Sequence, residues 1–289
     1  METEINRNGK DRLFKFIFGR NEHREWTLSL YNAVNGSSYT NVDDITITTV
    51  EDALYLSMKN DVSFIIADTM NFYEHQSTYN PNMPIRMLMY SGMAYSKYIN
   101  EHGIYLYSSA LKTLPTPRLV TFYNGSREME ECVTLKLSDA FPKDSEPDIE
   151  VTVRMLNINY SRNSRLMEQC RPLSDYSFFT ESVRRLKTEG IPTEDAVHLA
   201  IRKLDSDSPI RKYLLANEAE VSMLVITEFD EKKDREMCRD EGREEGLAEG
   251  TDRMARLGKL LLEAGRVEEL HGSYTNPVLR EKLLKEFAL

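Results

Sequence analysis

The alternation of apolar and polar residues predicts a mixture of helices and strands in the first half of the chain. Residues 45–50 are rich in β-branched side chains and predict a first strand. Two further apolar runs, 61–66 and 72–76, predict an antiparallel pair that follows it. Apolar positions at helical spacing predict one helix that ends before Gly19 and another that ends near Gly36. The chain is therefore expected to begin with two helices and a three-stranded meander.

The same patterns continue to about residue 160. Residues 85–101 predict a long helix, and three later segments predict strands, at 118–123, 133–137 and 150–156. Strands and helices in this order favour an α/β fold, in which a mixed sheet is flanked by helices.

The C-terminal half is expected to be almost entirely helical. Residues 166–230 predict a helical cap on the sheet or a subunit interface, and residues 231–289 a charged helical tail. In this tail Glu-Gly pairs recur every four residues at Gly242, Gly246 and Gly250. Because glycine costs a helix about 1 kcal/mol relative to alanine, the repeat indicates either close pairing of helices between subunits, giving a homo-oligomer, or a solvated helix. The predicted domains are thus 1–165, 166–230 and 231–289.

Candidate chemistry is concentrated in the second and third strands. Side chains alternate between the two faces of a strand, so Glu74 and Gln76 share one face and His75 points to the other. A hairpin centred between Ala67 and Asp68 would place Asp61 opposite Glu74, with Cβ atoms roughly 5 Å apart. The alternative turn between Asp68 and Asn71 would shift this pairing by about two residue pairs.

Two opposed carboxylates repel each other unless a cation lies between them. Mg²⁺ prefers oxygen ligands and commonly uses one or two protein carboxylates, which leaves coordination positions for water and a substrate phosphate. The apolar run after Asp61 predicts that the strand is buried, where an acid is costly unless it is paired or binds a metal. Asp61 and Glu74 are therefore predicted metal ligands for Mg²⁺, with Mn²⁺ as a possible substitute.

Six segments carry a resemblance to a known family: 11–19, 30–36, the strand that begins at Asp61, 74–86, 122–125 and 157–160. They resemble the PD-(D/E)XK phosphodiesterase superfamily and, within it, the recombination-promoting nuclease and putative transposase group, over roughly residues 10–230. The resemblance implies a metal-dependent DNA endonuclease core in residues 1–165, with Asp61, Glu74 and Gln76 as catalytic residues. Gln76 stands where the superfamily pattern has lysine, and a neutral amide can orient water but cannot supply a positive charge.

Three further residues are candidates, each with an ordinary alternative. Arg86 would bind a phosphate or assist the attacking water, or would only pair with an acid such as Glu74. Glu25 would supply the additional carboxylate that the superfamily often carries near its N-terminus, or would be an exposed helical residue. Lys15 would reach DNA, or would form the polar side of an amphipathic helix.

Charge and composition narrow the function classes. The chain has 37 basic and 47 acidic residues, a net charge of −10, so we expect weak, salt-sensitive binding of DNA or help from a second subunit. The three cysteines are isolated, which argues against a disulfide framework and a zinc ribbon. No apolar run is long enough for a membrane span and no signal peptide is evident, so the expected compartment is the cytoplasm.

The sequence thus favours a Mg²⁺-dependent DNA endonuclease of a mobile-element or recombination type. One alternative is a catalytically silent DNA- or protein-binding relative that assembles through its helical C-terminal half. Another is an acidic protein-interaction module that never meets DNA, which the net charge of −10 would suit. Binding of divalent ions near Asp61 and Glu74 would distinguish the nuclease from the silent relative.

Overall fold

The computed structural model contains two compact units, Met1–Glu228 and Phe229–Leu289. It describes residues 12–48, 61–226, 250 and 253–287. The Glu-Gly repeat falls outside the described residues except for Gly250. The predicted boundary between residues 165 and 166 lies inside the first unit.

A mixed sheet of six strands forms the centre of the first unit. The strands are β1 (Ile45–Ile47), β2 (Val62–Ile66), β3 (Thr69–Gln76), β4 (Thr116–Tyr123), β5 (Cys132–Lys136) and β6 (Thr152–Asn157). Their order is β1-β2-β3-β4-β6-β5. The pairs β3–β4 and β4–β6 are parallel, and the other neighbours are antiparallel. The predicted α/β fold with a mixed sheet and flanking helices is therefore confirmed.

The hairpin of β2 and β3 has the register that places Asp61 at the level of Glu74. Val62 pairs with Tyr73 and Ile66 pairs with Thr69, so the chain turns at Ala67 and Asp68. Ala67 has a φ of 48°, a left-handed conformation at the first of the two turn residues. The alternative turn between Asp68 and Asn71 is wrong, and β3 begins three residues earlier than the pattern indicated.

One face of the sheet packs against α3 (Met83–Glu101), the connection between the parallel strands β3 and β4. Met70 and Phe72 of β3 are buried there against Met87 and Tyr90 of the helix. Because side chains alternate along a strand, Glu74 and Gln76 continue the row that Met70 and Phe72 begin. The polar residues of β3 thus lie under α3.

The other face is covered by aromatic packing. Phe14 of α1 (Arg12–Phe18) stacks on His75 with ring centroids 5.2 Å apart and also contacts Phe122. The hydroxyl of Tyr176, on α5 (Arg171–Thr188), lies 3.0 Å from Nε2 of His75. His75 is therefore a core residue on the face opposite to Glu74, as the alternation predicted.

Two strand boundaries differ from the prediction near Glu150. β5 ends at Lys136 and is followed by a short 3-10 turn, Leu137–Ala140, while β6 begins only at Thr152. The Glu150 carboxylate accepts hydrogen bonds from the Ser138 backbone N–H at 3.1 Å and from its hydroxyl at 2.5 Å. Glu150 thus caps this turn and does not join the strand.

Two short 3-10 turns lie at Asn21–His23 and Val42–Asp44. The remaining described elements are α-helices, as predicted. They are α2 (Arg24–Asn35), α4 (Ser164–Gln169), α6 (Thr193–Lys203), α7 (Arg211–Ala216) and residues 218–226 in the first unit. The second unit has helical residues 253–263 and the helices Val267–Thr275 and Pro277–Glu286. Leu257, Leu261, Leu270 and Leu283 form its core. Within the described part of the chain, no helix has the length and apolar character needed to cross a membrane.

Candidate metal-binding and active site

Asp61 is the first residue of the candidate site and lies immediately before β2. Its Oδ2 atom accepts a hydrogen bond from the backbone N–H of His75 at 2.7 Å, and the residue is only 8% exposed. This bond holds the carboxylate against the end of β3, between the positions of Glu74 and Gln76. The strand pairing and the bond together fix where the carboxylate lies.

Glu74 is almost completely buried, at 2% exposure, and forms an ion pair with Arg86 of α3. Arg86 Nη2 lies 3.7 Å from Glu74 Oε1. Burial disfavours the Arg86 cation, but the negative charges of Glu74 and Asp61 and the Tyr90 hydroxyl outweigh it and raise the pKa of Arg86. Arg86 is thus a permanent positive charge beside both carboxylates.

Tyr90, one helical turn after Arg86, interacts with both members of the Arg86–Glu74 ion pair. Its hydroxyl accepts hydrogen bonds from Arg86 Nε at 3.2 Å and Nη2 at 2.8 Å. Burial and the charge of Glu74 raise the pKa of Tyr90 to about 12. The hydroxyl therefore stays protonated at neutral pH, and Tyr90 can position Arg86 and Glu74 but cannot act as a base.

Gln76 is held by the helix through its amide nitrogen. Nε2 donates to the sulfur of Met83 at 2.9 Å, and Arg86 Nη1 donates to the same sulfur at 3.3 Å. The other amide atom, Oε1, is buried and has no hydrogen-bond partner among the described residues. An unsatisfied buried oxygen costs about 1–3 kcal/mol, and a bound ion or water would relieve this cost.

Thr121 of β4 completes the site from the neighbouring strand. It pairs directly with Glu74 in the parallel register and is fully buried. Its Oγ1 atom also lacks a hydrogen-bond partner among the described residues. The carboxylates of Asp61 and Glu74 and the oxygen atoms Gln76 Oε1 and Thr121 Oγ1 therefore come from neighbouring positions on three strand segments.

This donor set fits a hard divalent cation. Oxygen atoms of carboxylates, amides and hydroxyls are the ligands that Mg²⁺ and Mn²⁺ accept, and an ion there would offset the repulsion between the carboxylates. The described residues contain no group of three or more His, Cys, Asp and Glu arranged around one point. The fit therefore rests on Asp61 and Glu74 together with the neutral oxygens of Gln76 and Thr121.

Among the three further candidates, Arg86 forms the ion pair with Glu74, and the negative charge of Asp61 also acts on it. Lys15 is half-buried on α1 beside Gly19, which packs closely against Val62 at the start of β2. Glu25 is on the surface with a side chain 55% exposed, and its described contact is with His23 Nδ1 at 3.7 Å. The structure thus brings Lys15 toward the Asp61 end of the hairpin and pairs Glu25 with a neighbour on its own segment.

Three residues of the site were not predicted from the sequence: Met83, Tyr90 and Thr121. Met83 and Tyr90 stand three residues before and four residues after Arg86, so helical spacing around Arg86 would have found both. Thr121 could be found only from the β3–β4 register, which joins residues 47 positions apart.

Comparisons with protein-family models, curated proteins and solved structures found no match for this chain.

Proposed function

We propose that this protein is a divalent-metal-dependent DNA endonuclease that hydrolyses phosphodiester bonds, built on a PD-(D/E)XK-like core. The observation that carries the proposal is the grouping of Asp61, Glu74 and Gln76 on one face of the β2–β3 hairpin, with the Asp61 carboxylate held by the His75 N–H at 2.7 Å. The motif resemblance supplies the expectation of DNA and of a mobile-element or recombination context.

Each residue has a role that follows from its contacts. Asp61 and Glu74 would hold the ion, and bound Mg²⁺ would supply polarisation of the phosphate and a lower pKa for the attacking water. Gln76 would orient that water through its Oε1 atom, because Met83 already engages its nitrogen. Arg86, 3.7 Å from Glu74, would stabilise the negative charge that develops on the phosphate.

The positive charge of Arg86 bears on the missing lysine of the superfamily pattern. Gln76 cannot carry charge, but Arg86 approaches the same carboxylates from α3 and is 30% exposed, so part of it faces solvent. The cation is therefore supplied by the helix in place of the strand. This arrangement supports a competent site with glutamine at position 76.

The test is conversion of supercoiled plasmid to nicked or linear DNA by the full chain at low salt, with Mg²⁺ or Mn²⁺. Asp61→Asn and Glu74→Gln remove each charge with little change of shape, and we expect each to lower the cleavage rate at least about 100-fold. Glu128→Gln is the matched control, because its carboxylate is 92% exposed and pairs with Arg162. Equal cleavage by wild type and both site variants would overturn the proposal.

A second candidate, a silent relative that binds DNA or protein without turnover, is favoured by one observation. Arg86 already compensates Glu74, so the buried acid has a stabilising partner in the absence of an ion. In this case wild type and Glu74→Gln would be equally inactive on plasmid, and divalent ions would leave the melting temperature of both unchanged. The two candidates therefore differ in ion binding as well as in cleavage.

A further inference from the structure

Arg127 is an exposed cation that is held in a fixed position. Its guanidinium carbon lies 4.2 Å from the centre of the Tyr79 ring, within the range of a cation–π contact. Among the described residues no carboxylate pairs with it, whereas Arg86, Arg162 and Arg184 each have one. Its charge is thus available in a chain whose net charge is −10.

The backbone around Arg127 is held by several contacts. The Tyr123 hydroxyl accepts a hydrogen bond from the Arg127 N–H at 2.8 Å and donates one to the Arg127 carbonyl at 3.2 Å. At Gly125 a Cβ atom would lie 2.2 Å from the Ser77 carbonyl oxygen, so only glycine fits. These contacts fix the turn that presents Arg127, so little conformational freedom remains to be lost on binding.

Arg184 of α5 supports the same turn. Its Nη2 atom donates to the Asn124 carbonyl at 3.0 Å and to Asn124 Oδ1 at 2.9 Å. The Asn124 N–H in turn donates to the Gln76 carbonyl at 2.9 Å. The turn is therefore connected directly to the strand that carries the candidate catalytic residues.

Arg127 lies at the same end and on the same face of the sheet as the candidate site. Gln76 pairs with Tyr123 in the parallel register, so the turn follows immediately beyond Gln76. Tyr79, whose ring contacts Arg127, and Met129, two residues after Arg127, both pack into the apolar cluster under α3 that also contains Phe72. The exposed guanidinium thus stands beyond Gln76 on the face to which Glu74 points.

An arginine of this kind suits a phosphodiester group. The guanidinium can form two hydrogen bonds to one phosphate, and stacking on an aromatic ring orients its plane in advance. An acidic protein gains little from general attraction to DNA, so a few placed cations must supply the contacts that position the strand. We propose that Arg127, oriented by Tyr79, binds a backbone phosphate of the DNA strand that enters the Asp61–Glu74 site; the choice of DNA rests on the proposed function.

The test is the salt dependence of DNA binding, measured by fluorescence anisotropy of a short labelled duplex with full-length protein in EDTA, from about 50 to about 200 mM salt. The logarithm of the association constant falls linearly with the logarithm of the salt concentration, and each lost phosphate contact makes this slope shallower by about 0.9. We expect Arg127→Gln to make the slope shallower by this amount. We also expect it to weaken binding about five- to tenfold near 100 mM salt. Arg127→Lys should keep the slope. Tyr79→Leu should weaken binding with the slope kept, because the charge remains.

The matched control is Arg118→Gln. Arg118 is also exposed, but it lies five residues before Tyr123 on β4. In the strand register it stands opposite Asn71 of β3, away from the Gln76 end. Its removal should leave affinity and slope close to those of wild type. Equal effects of Arg127→Gln and Arg118→Gln, or no binding of the duplex by wild type, would overturn the proposal.

Failure of this proposal is distinguishable from failure of the proposed function. If Asp61→Asn abolishes cleavage while Arg127→Gln binds DNA like Arg118→Gln, Arg127 has no such role and the nuclease assignment stands. If wild type does not cleave but Arg127→Gln alone lowers affinity and slope, the phosphate contact stands without the nuclease.

Discussion

The carboxylate of Asp61 accepts a hydrogen bond from the backbone N–H of His75 at 2.7 Å. The ring of His75 lies on the opposite face of the sheet, against Phe14 and Tyr176. One residue thus provides a backbone donor to the candidate site and a side chain to the core. The position of Asp61 is set by the backbone of β3. A shift of the β3 backbone at His75 would therefore also move the Asp61 carboxylate.

This contact predicts that Asp61→Ala destabilises the protein more than Asp61→Asn does. Alanine leaves the His75 N–H without an acceptor in a buried position, which costs about 1–3 kcal/mol of unfolding free energy. Asparagine retains an oxygen in place of Oδ2 and also removes a negative charge near Glu74. Urea denaturation of both variants in EDTA measures the difference, and equal losses of stability would contradict the contact.

The ion pair between Arg86 and Glu74 predicts a stability effect that depends on divalent ions. Arg86→Gln leaves the buried Glu74 charge without this cation and should lower stability by about 1–3 kcal/mol in EDTA, after allowance for the partial exposure of Arg86. A divalent ion bound by Glu74 would supply the missing charge, so Mg²⁺ or Mn²⁺ should recover part of the loss. Thermal denaturation with and without the ion measures this.

Lys97→Gln is the control for that experiment. Lys97 pairs with Glu101 at 3.9 Å, with both side chains more than half exposed, so its loss should change stability by less than about 0.5 kcal/mol at any ion concentration. If the deficit of Arg86→Gln were the same with and without the ion, Glu74 would not hold a cation.

The turn between β2 and β3 predicts a stabilising substitution. Ala67 has a φ of 48°, which strains a residue with a Cβ atom, and the first position of such hairpin turns favours glycine. Ala67→Gly should therefore raise stability by about 1 kcal/mol. The same change at Ala33, inside α2, should lower it by about 1 kcal/mol. Effects of the same sign at both positions would contradict the turn geometry.

Cys170 predicts a loss of stability at alkaline pH. Burial raises the pKa of its thiol from 9.0 to about 11. The folded state disfavours the thiolate. The contribution of Cys170 to the free energy of unfolding is therefore complete below pH 9 and is lost as the pH rises from 9 through 11. The stability difference between wild type and Cys170→Ala should narrow by about 1 kcal/mol between pH 8.5 and pH 10. Denaturant unfolding at the two pH values checks this, and a constant difference would contradict it.

Local sequence rules were sufficient for the parts of the fold that depend on alternation. The opposite orientations of Glu74 and His75 follow from the two-residue period of a strand, and the Asp61–Glu74 register follows from the two-residue turn at Ala67 and Asp68. That turn was the harder choice, because alanine disfavours the left-handed conformation it adopts. The compact turn lets Ile66 and Thr69 pair, which extends the hairpin by further hydrogen bonds.

The long-range part of the site was not available from these rules. Thr121 reaches Glu74 only through the parallel pairing of β3 with β4, across the connection made by α3. The β-branched run after Glu150 predicted that this residue lies in a strand, whereas its carboxylate caps the turn at Ser138. In both cases the partner is distant in sequence, so neither propensity nor periodicity carries the information.

The most direct measurement for the central claim is Mn²⁺ titration followed by electron paramagnetic resonance, with full-length wild type, Asp61→Asn, Glu74→Gln and the exposed control Glu128→Gln. Protein-bound Mn²⁺ loses the sharp signal of the free ion. We expect the signal to fall for wild type and Glu128→Gln, and to stay close to that of free ion for Asp61→Asn and Glu74→Gln. Equal binding by wild type and the two site variants, or no binding by wild type, would contradict the assignment of Asp61 and Glu74 as metal ligands.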